Sequence, residues 1–307
     1  MKDIADSRPH QRQDSMLLEE DLEHIDETLY EPMEEELVAR TILSIYDQIP
    51  EGAEEYSYDK FTRQGSAKIT PTGADDVPLV DNVKERVSQK VVSIENGFKI
   101  EKQELRAARD NGQDIDTDKA ATARRIISEK ENDLVFNGRS AIGVEGLVDA
   151  DDIHTYTAPD GEGGDTEWEE KTGEEIVADI RNARAKINEL DNFNADTLVV
   201  PGSQYEELEK PYNDYNAQTI MAYIDEQGWF DEIVASSYLE EENHDVGDDV
   251  GLVIDTDSDK IQIGLAIDMQ REEPYRLPNG SYLVRVEERT CGTIIRRPKA
   301  ICRIDGI

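Results

Sequence analysis

Leu134-Val-Phe-Asn-Gly-Arg-Ser-Ala-Ile-Gly-Val-Glu-Gly-Leu147 is the stretch from which the fold is read. Its apolar start closes the clearest helix in the sequence, and Gly138 can end that helix in the left-handed conformation a side chain disfavours. Reading back from Gly138, Asp116 or Thr117 suits the N-cap and Asp118 puts a negative charge in the first turn. Ala120, Ala123, Ile127 and Leu134 lie along one side, with Ile126 beside them. Roughly 20 residues at about 1.5 Å each make a rod of about 30 Å, long enough to act as a scaffold.

Upstream, the pattern predicts a strand over Val87–Ile94 and a short helix near Glu104–Arg109, ended by Gly112. From Glu54 to about Arg86 the chain turns to short extended pieces. Tyr56, Tyr58 and Phe61 alternate with polar residues, and Pro71, Gly73 and Pro78 mark turns. This predicts a long, exposed two-stranded hairpin, which is marginal alone and should find its stabilisation on a neighbouring subunit. Residues 1–15, with Arg8, His10 and Arg12, read as a mobile arm. Leu18, Leu22, Ile25 and Leu29 then form one apolar stripe on an acidic helix. Pro32 suits the first turn of a second helix, whose Met33, Leu37, Val38, Thr41, Ile42 and Ile45 share a face. Such narrow stripes bury little by themselves and want a partner surface.

Downstream, the acidic, Gly-rich residues 149–172 read as a surface loop. A helix over Glu174–Leu190 turns Ile176, Ile180, Ala183 and Ile187 inward, and Thr197–Val200 is a short buried strand ended by Pro201. Helices near Tyr205 and Ile220 and a strand at Ile233 complete a small α/β lobe. Val250–Ile254 and Lys260–Ile267 are predicted to pair around an Asp-rich turn. Tyr282–Ile304 is β again, with Tyr282, Val284 and Val286 on one side and Leu283, Arg285 and Glu287 on the other.

Charge sets the solvent. A formal net charge of −38 on 307 residues repels itself strongly, and becomes tolerable where ions screen it. At about 1 M salt the Debye length falls to about 3 Å, so concentrated brine is the expected medium. The 37% hydrophobic residues recur at regular periods, which argues against a disordered acidic chain. The charge is also uneven: −14 over residues 1–83, +1 over 84–139, −26 over 149–265 and +3 over the last 37. An acidic block between near-neutral ones implies two lobes, one inserted and facing solvent. Two cysteines, Cys291 and Cys302, read as small core residues, since they make neither a disulfide framework nor a metal-ligand spacing. With no leader at Met1 and no apolar run near the roughly 20 residues of a span, the expectation is a soluble protein, intracellular when made.

Enzyme chemistry finds no support in the sequence. Asp255-Thr-Asp257-Ser-Asp259 opens like a calcium loop, but Lys260 stands where Gly is needed and Ala266 where a bidentate Glu is needed, so a solvated hairpin turn is expected. Gly161-Glu-Gly163-Gly164 has no preceding strand and no following Lys-Ser/Thr pair for a phosphate. His10, His24, His154 and His244 are scattered, and Ser140 is not on a nucleophile elbow. The one basic concentration is Arg285, Arg289, Arg296, Arg297, Lys299 and Arg303. Facing packaged DNA is one reading; pairing with a neighbour's acids is favoured, since brine removes most of the counterion-release drive.

Two further stretches join the opening one: Thr197-Leu-Val-Val-Pro-Gly-Ser-Gln-Tyr-Glu-Glu-Leu208, and Arg289 through Pro298-Lys-Ala-Ile301. In order and spacing the chain after residue 15 resembles the major capsid proteins of tailed phages with the Hong Kong phage fold, and the related encapsulin shells. The three stretches look like the end of that family's spine helix, the strand-then-helix of its axial lobe, and its closing strands. The resemblance implies an α+β fold with an N-terminal arm at 1–53, an extended E-loop at 54–86, a peripheral domain from 87–148 with 266–307, and an inserted axial domain at 149–265. It further implies a non-enzymatic subunit without cofactor or metal, assembled with itself as pentamers and hexamers. Implied partners are a portal, other head proteins and double-stranded DNA packaged without sequence specificity, in a virion assembled in a host cytoplasm. The brine argument makes the host a halophilic archaeon. An encapsulin enclosing a cargo enzyme is the alternative.

Under the same resemblance Lys210, Pro211, Tyr212 and Tyr215 become the loop at the capsomer axis. Tyr58, Phe61, Arg63 and Lys68 become E-loop contacts, and Leu18, Leu22, Ile25 and Leu29 arm contacts. Arg285, Arg289, Arg296, Arg297 and Arg303 become interface or lumen residues. Each subunit should bury well over the standard interface of about 1,600 Å², spread over several partners.

Overall fold

The structure is a computed structural model and describes residues 38–64, 81–104, 106, 117–213, 215–244 and 246–307. In chain order these form α1 (Val38–Ile42), β1 (Ile45–Tyr46), β2 (Glu55–Gln64), β3 (Asp81–Lys90), β4 (Val92–Ile100), α2 (Thr117–Asn137), β5 (His154–Thr157), α3 (Gly173–Asn188), β6 (Thr197–Val200), α4 (Gly202–Glu207), β7 (Pro211–Asn213), β8 (Asn216–Thr219), α5 (Ile220–Gln227), β9 (Glu232–Ala235), β10 (Val250–Ile254), β11 (Ile261–Arg271), β12 (Tyr275–Arg276), β13 (Tyr282–Ile295) and β14 (Ile301–Asp305). They fall into two units. One takes the described residues among 95–127 and 269–287, the other those among 34–94, 128–268 and 288–307.

The predicted rod is α2, and the turn after it is why its sequence is so constrained. Gly138 has a φ of +61°, and a Cβ there would lie 2.3 Å from Gly146 N; the reciprocal approach holds for Gly146. That crossing lets the chain double back, so that Leu147 N donates to Val135 O at 3.0 Å and Val148 N to Phe136 O at 2.9 Å. Val135, Phe136, Leu147 and Val148 are all buried together.

The larger unit is centred on a five-stranded sheet of order β5-β14-β10-β6-β9. Both faces are covered, which is why β6 and β10 read as unbroken apolar runs. Alternate residues divide between two cores. Val199, Leu252 and Ile254 face Val135, Phe136 and α1, while Leu198, Val200, Val253, Cys302 and Ile304 face α3. α3 presents Ile176, Ile180, Ala183 and Ile187, the predicted inner face, all fully buried. Glu175 accepts the Thr172 N–H at 2.9 Å, closing the start of α3. Cys291 and Cys302 are buried core residues, and burial pushes both thiols up to about 12.

In the smaller unit β12 pairs antiparallel with β13 through Tyr275↔Leu283 and Arg276↔Tyr282. Val284 and Val286 are buried and Arg285 exposed, as the alternation predicts. Lys119 Nζ lies 3.1 Å from Glu104, tying the helical residues 102–104 to the start of α2.

Several expectations are corrected. β10 and β11 do not pair with each other. β10 lies between β14 and β6, whereas β11 pairs parallel with β1 through Ile45↔Ile263 and Tyr46↔Gly264. The connecting turn is not solvated at its start, because Asp255 is 0% exposed and accepts from the buried Lys260 ammonium at 2.5 Å. Ile45 belongs to β1, not to the helix that ends at Ile42. The predicted strand over Val87–Ile94 is split at Val91, with Asp81–Lys90 completing the hairpin and Val92–Ile100 starting β4. Residues 149–172 are more than a loop: they hold β5, the fully buried Trp168, and Lys171, whose ammonium meets Asp179 at 2.7 Å in the interior. β14 comes from the closing segment of the chain and pairs in the midst of this sheet, between β5 and β10.

Candidate assembly surfaces

Among the described residues β2 and β3 pair only with each other, in register from Glu55↔Lys90 to Gln64↔Asp81. The root of this hairpin is fixed to the larger unit. Tyr58 is 8% exposed, and its hydroxyl donates to Ile295 O at 2.8 Å. Burial raises the Tyr58 pKa above the ordinary phenol value, so it stays a donor. Gln89 Nε2 donates to Thr293 O at 2.9 Å, and Arg289 Nη2 to Ala53 O at 2.9 Å. Tyr46, Tyr56 and Tyr58 form a run of rings with centroids 5.5 and 6.1 Å apart, and Arg296 lies over Tyr46 at 5.3 Å. Beyond Tyr58 the strand runs on for six residues to Gln64, about 20 Å at a strand rise of about 3.3 Å. Phe61 and Arg63 stand on this portion, opposite Lys84 and Asn82. Lys68 lies outside the described residues, as do Leu18, Leu22, Ile25 and Leu29.

A second, smaller ribbon is β7–β8, with Pro211↔Thr219 and Asn213↔Asn216 paired around an irregularity. Its outer end carries Tyr215, 99% exposed. The inner end is held: the Tyr212 ring stacks on Tyr223 at 4.2 Å, and Tyr223 meets Trp229 edge-on at 6.2 Å. Gly173 admits the ribbon to the start of α3, since a Cβ there would lie 2.6 Å from Pro211 O. Lys210 donates to Glu169 O at 3.0 Å and pairs with Glu207. Thr219 caps α5 by accepting from Ala222 N at 3.2 Å. The structure thus brings Lys210, Pro211, Tyr212 and Tyr215 to one ribbon with an exposed aromatic tip.

The basic residues of the closing segment do not form one patch of free charge. Arg296 donates to Ser258 O and Gln262, Arg297 lies 3.5 Å from Asp259, and Arg303 is forked on Asp305 and bonded to Val148 O. Arg289 holds the hairpin root, as above, and Arg285 is exposed. Sequence reasoning missed the buried ion pairs altogether, chief among them Arg40 with Glu131 and Glu288, because nothing in the local pattern marks a charge for burial.

An open cleft of about 720 Å³ beside the turn after α2 mixes Asp133, Glu145 and Asp149 with Lys130, Arg139 and His244. Among the described residues no trio of His, Cys, Asp or Glu is arranged to hold a metal ion, and no helix is long and apolar enough to cross a membrane.

The family model described as "Major capsid protein" matches residues 65–307. Among curated proteins, the Type 1 encapsulin shell protein EncA of Myxococcus xanthus is 24% identical over 298 residues, covering 94% of each chain. The capsid of Myoviridae phage XM1 superposes with a TM-score of 0.70 at 12% identity, over 88% of this chain and 91% of that one. The virus-like particle from Pyrococcus furiosus gives a TM-score of 0.63 at 13% identity, over 92% and 98%. At these identities the structural likeness establishes the fold, a mixed α+β capsid fold of the Hong Kong phage type.

Proposed function

The chain belongs to the major capsid protein family, and from that premise we propose that it is the structural subunit of the icosahedral head of a tailed double-stranded DNA virus of a halophilic archaeon. The observation that carries this reading is the β2–β3 hairpin, anchored at its root and, among the described residues, paired only with itself farther out. A ribbon of this kind gains little from its own molecule and gains area when laid on a copy. Pentamers and hexamers bend differently, and long thin contacts keep buried area while permitting tilt.

In this proposal residues 1–53 form the arm, 54–86 the E-loop, 87–148 with 266–307 the peripheral domain, and 149–265 the axial domain, with β14 added to the axial sheet. Tyr215 and its ribbon sit at the capsomer axis. Phe61, Arg63 and Lys68, together with Leu18, Leu22, Ile25 and Leu29, contact neighbours. The acidic 149–265 block faces brine, and a portal, other head proteins and unspecifically packaged DNA complete a virion assembled in the host cytoplasm. The internal partners of Arg289, Arg296, Arg297 and Arg303 favour a wall-building role for them over a DNA-lining one.

A second reading, an encapsulin-type compartment, is favoured by the match to EncA across nearly the whole of both chains. Particle contents separate the two. Shells purified from the native source should release double-stranded DNA on disruption; an enclosed enzyme without DNA contradicts the viral reading and leaves the shell reading standing.

A further inference from the structure

On a chain with 71 acidic residues, a contact between two copies sets carboxylate against carboxylate unless one side lacks them. Only two stretches of 15 residues or more contain no Asp or Glu, residues 60–74 and residues 289–304. The second is used within the subunit. Its Ile294, Ile295, Ile301 and Cys302 are buried, and its Arg289, Arg296, Arg297 and Arg303 have the internal partners described above. The first begins in β2 beyond Tyr58 and carries Lys60, Arg63 and Lys68. In register Lys60 stands opposite Glu85, whereas Arg63 stands opposite the uncharged Asn82.

The acidic counterpart lies at the foot of the same hairpin. Ser88 of β3, paired with Ser57, lines the cleft of about 720 Å³ beside the turn after α2. Lys130 and Asp133 pair with each other there, which leaves Glu145, Asp149, Asp151 and Glu242 against Arg139. Asp151 and Glu242 are exposed, and the Asp149 side chain is 67% exposed although Arg303 lies 3.8 Å away. Asn137 lines the same cleft, and among the described residues its Oδ1 accepts no hydrogen bond.

Gln64 is seven residues along β2 from Ser57, about 23 Å at a rise of about 3.3 Å, so the basic stretch and the acidic cleft stand apart along one extended ribbon. We propose that residues 60–74 of one copy lie in this cleft of the next, with Arg63 and Lys68 set against Asp151 and Glu242. The proposal rests on the shell-subunit reading above and names the surface that receives the hairpin. Because the two patches differ, the contact is head-to-tail: it repeats from copy to copy and closes into a ring where the rotation allows. At about 1 M salt charges farther apart than about 3 Å are screened, so only touching pairs count, and they select where the ribbon lies.

Charge reversal on the full-length chain tests the docking, with the assembled fraction read by sedimentation in about 2–4 M salt. Asp151→Lys with Glu242→Lys alters two exposed positions of the cleft, and Arg63→Glu with Lys68→Glu alters the ribbon. Each pair should lower the assembled fraction at least about tenfold, because like charges then meet. All four changes together should restore it to within about twofold of the wild type. Normal assembly of either pair, or no recovery in the fourfold variant, overturns the docking and leaves the shell reading standing. Wild-type chains that never assemble sink the shell reading itself, and the docking with it. A measurement on the wild type is independent of how the variants fold. Shells grown from mixed isotopically labelled and unlabelled chains are treated with a carbodiimide, which joins a touching lysine and carboxylate without a spacer. Interchain peptides linking Lys60 or Lys68 to Glu145, Asp149, Asp151 or Glu242 are expected. Interchain links from these lysines to other carboxylates only, or none while other lysines are linked between chains, overturn the proposal.

Discussion

Tyr58 shows how one side chain turns a marginal ribbon into a directed one. Its hydroxyl reaches Ile295 O from inside a small core of Ile49, Val91, Cys291 and Ile294, so the strand that carries it is fixed at a set point. Tyr58→Phe should cost about 1–2 kcal/mol in denaturant unfolding, since the Ile295 carbonyl is left buried without its donor. A loss under about 0.3 kcal/mol would mean that the rings alone fix the root. Lys260 is the second decisive residue. It binds Asp255 at 2.5 Å and Asp257 at 2.7 Å, and its ammonium lies 5.3 Å from the centre of the Phe193 ring. Burial opposes its charge, but the two aspartates outweigh burial and raise its pKa, so the lysine occupies the place a cation would take. Lys260→Met, which strands Asp255 in the interior, should lose about 3–5 kcal/mol. Added calcium should leave the wild-type unfolding midpoint unchanged; a calcium-dependent rise would mean that the Asp-rich turn binds metal after all.

At the scale of elements, what was legible depended on how local the signal was. α2 follows from a candidate cap, a helical period and a closing glycine, α3 from its helical period alone, and the predicted faces of both are buried, although Ile126 beside that of α2 is exposed. The β2–β3 pairing was legible too, from alternating aromatics and turn residues. The partners of β10 and β11 were not. Two apolar runs flanking an Asp-rich turn look like a hairpin, yet β10 is apolar on both faces because it is a central strand, and its partners β6 and β14 come from far away in the chain. The buried Arg40–Glu131–Glu288 group was illegible for a related reason: among 71 acidic residues nothing local distinguishes the two that fold inward. Of the proposed contact residues, Pro211, Tyr212 and Tyr215 stand out in sequence as a loop, which the structure forms as the β7–β8 ribbon, whereas the inward turn of Tyr58 became visible only in the packed structure. Deleting residues 66–76 tests the hairpin as an element. The shortened chain should remain folded by circular dichroism while shell growth stops in light scattering. Normal particles from that deletion would show that the ribbon is not an intersubunit clamp.

On the scale of the whole molecule, charge and incompleteness act together. A net charge of −38 on one chain is multiplied by every copy brought into a shell, and under the proposed function dense counterions screen that repulsion. Dilution from about 2 M salt to about 0.1 M lengthens screening to about 10 Å and should loosen particles before the subunits unfold, which sedimentation and circular dichroism together resolve. Particles that stay intact in dilute buffer free of divalent ions would contradict the brine argument. The account rests most heavily on self-assembly, and electron microscopy of the purified full-length protein in about 2–4 M salt tests it most directly. Closed shells built from this chain alone or with its head partners are the predicted image. A field of compact single-chain particles, with the hairpin folded back on its own body, would contradict it.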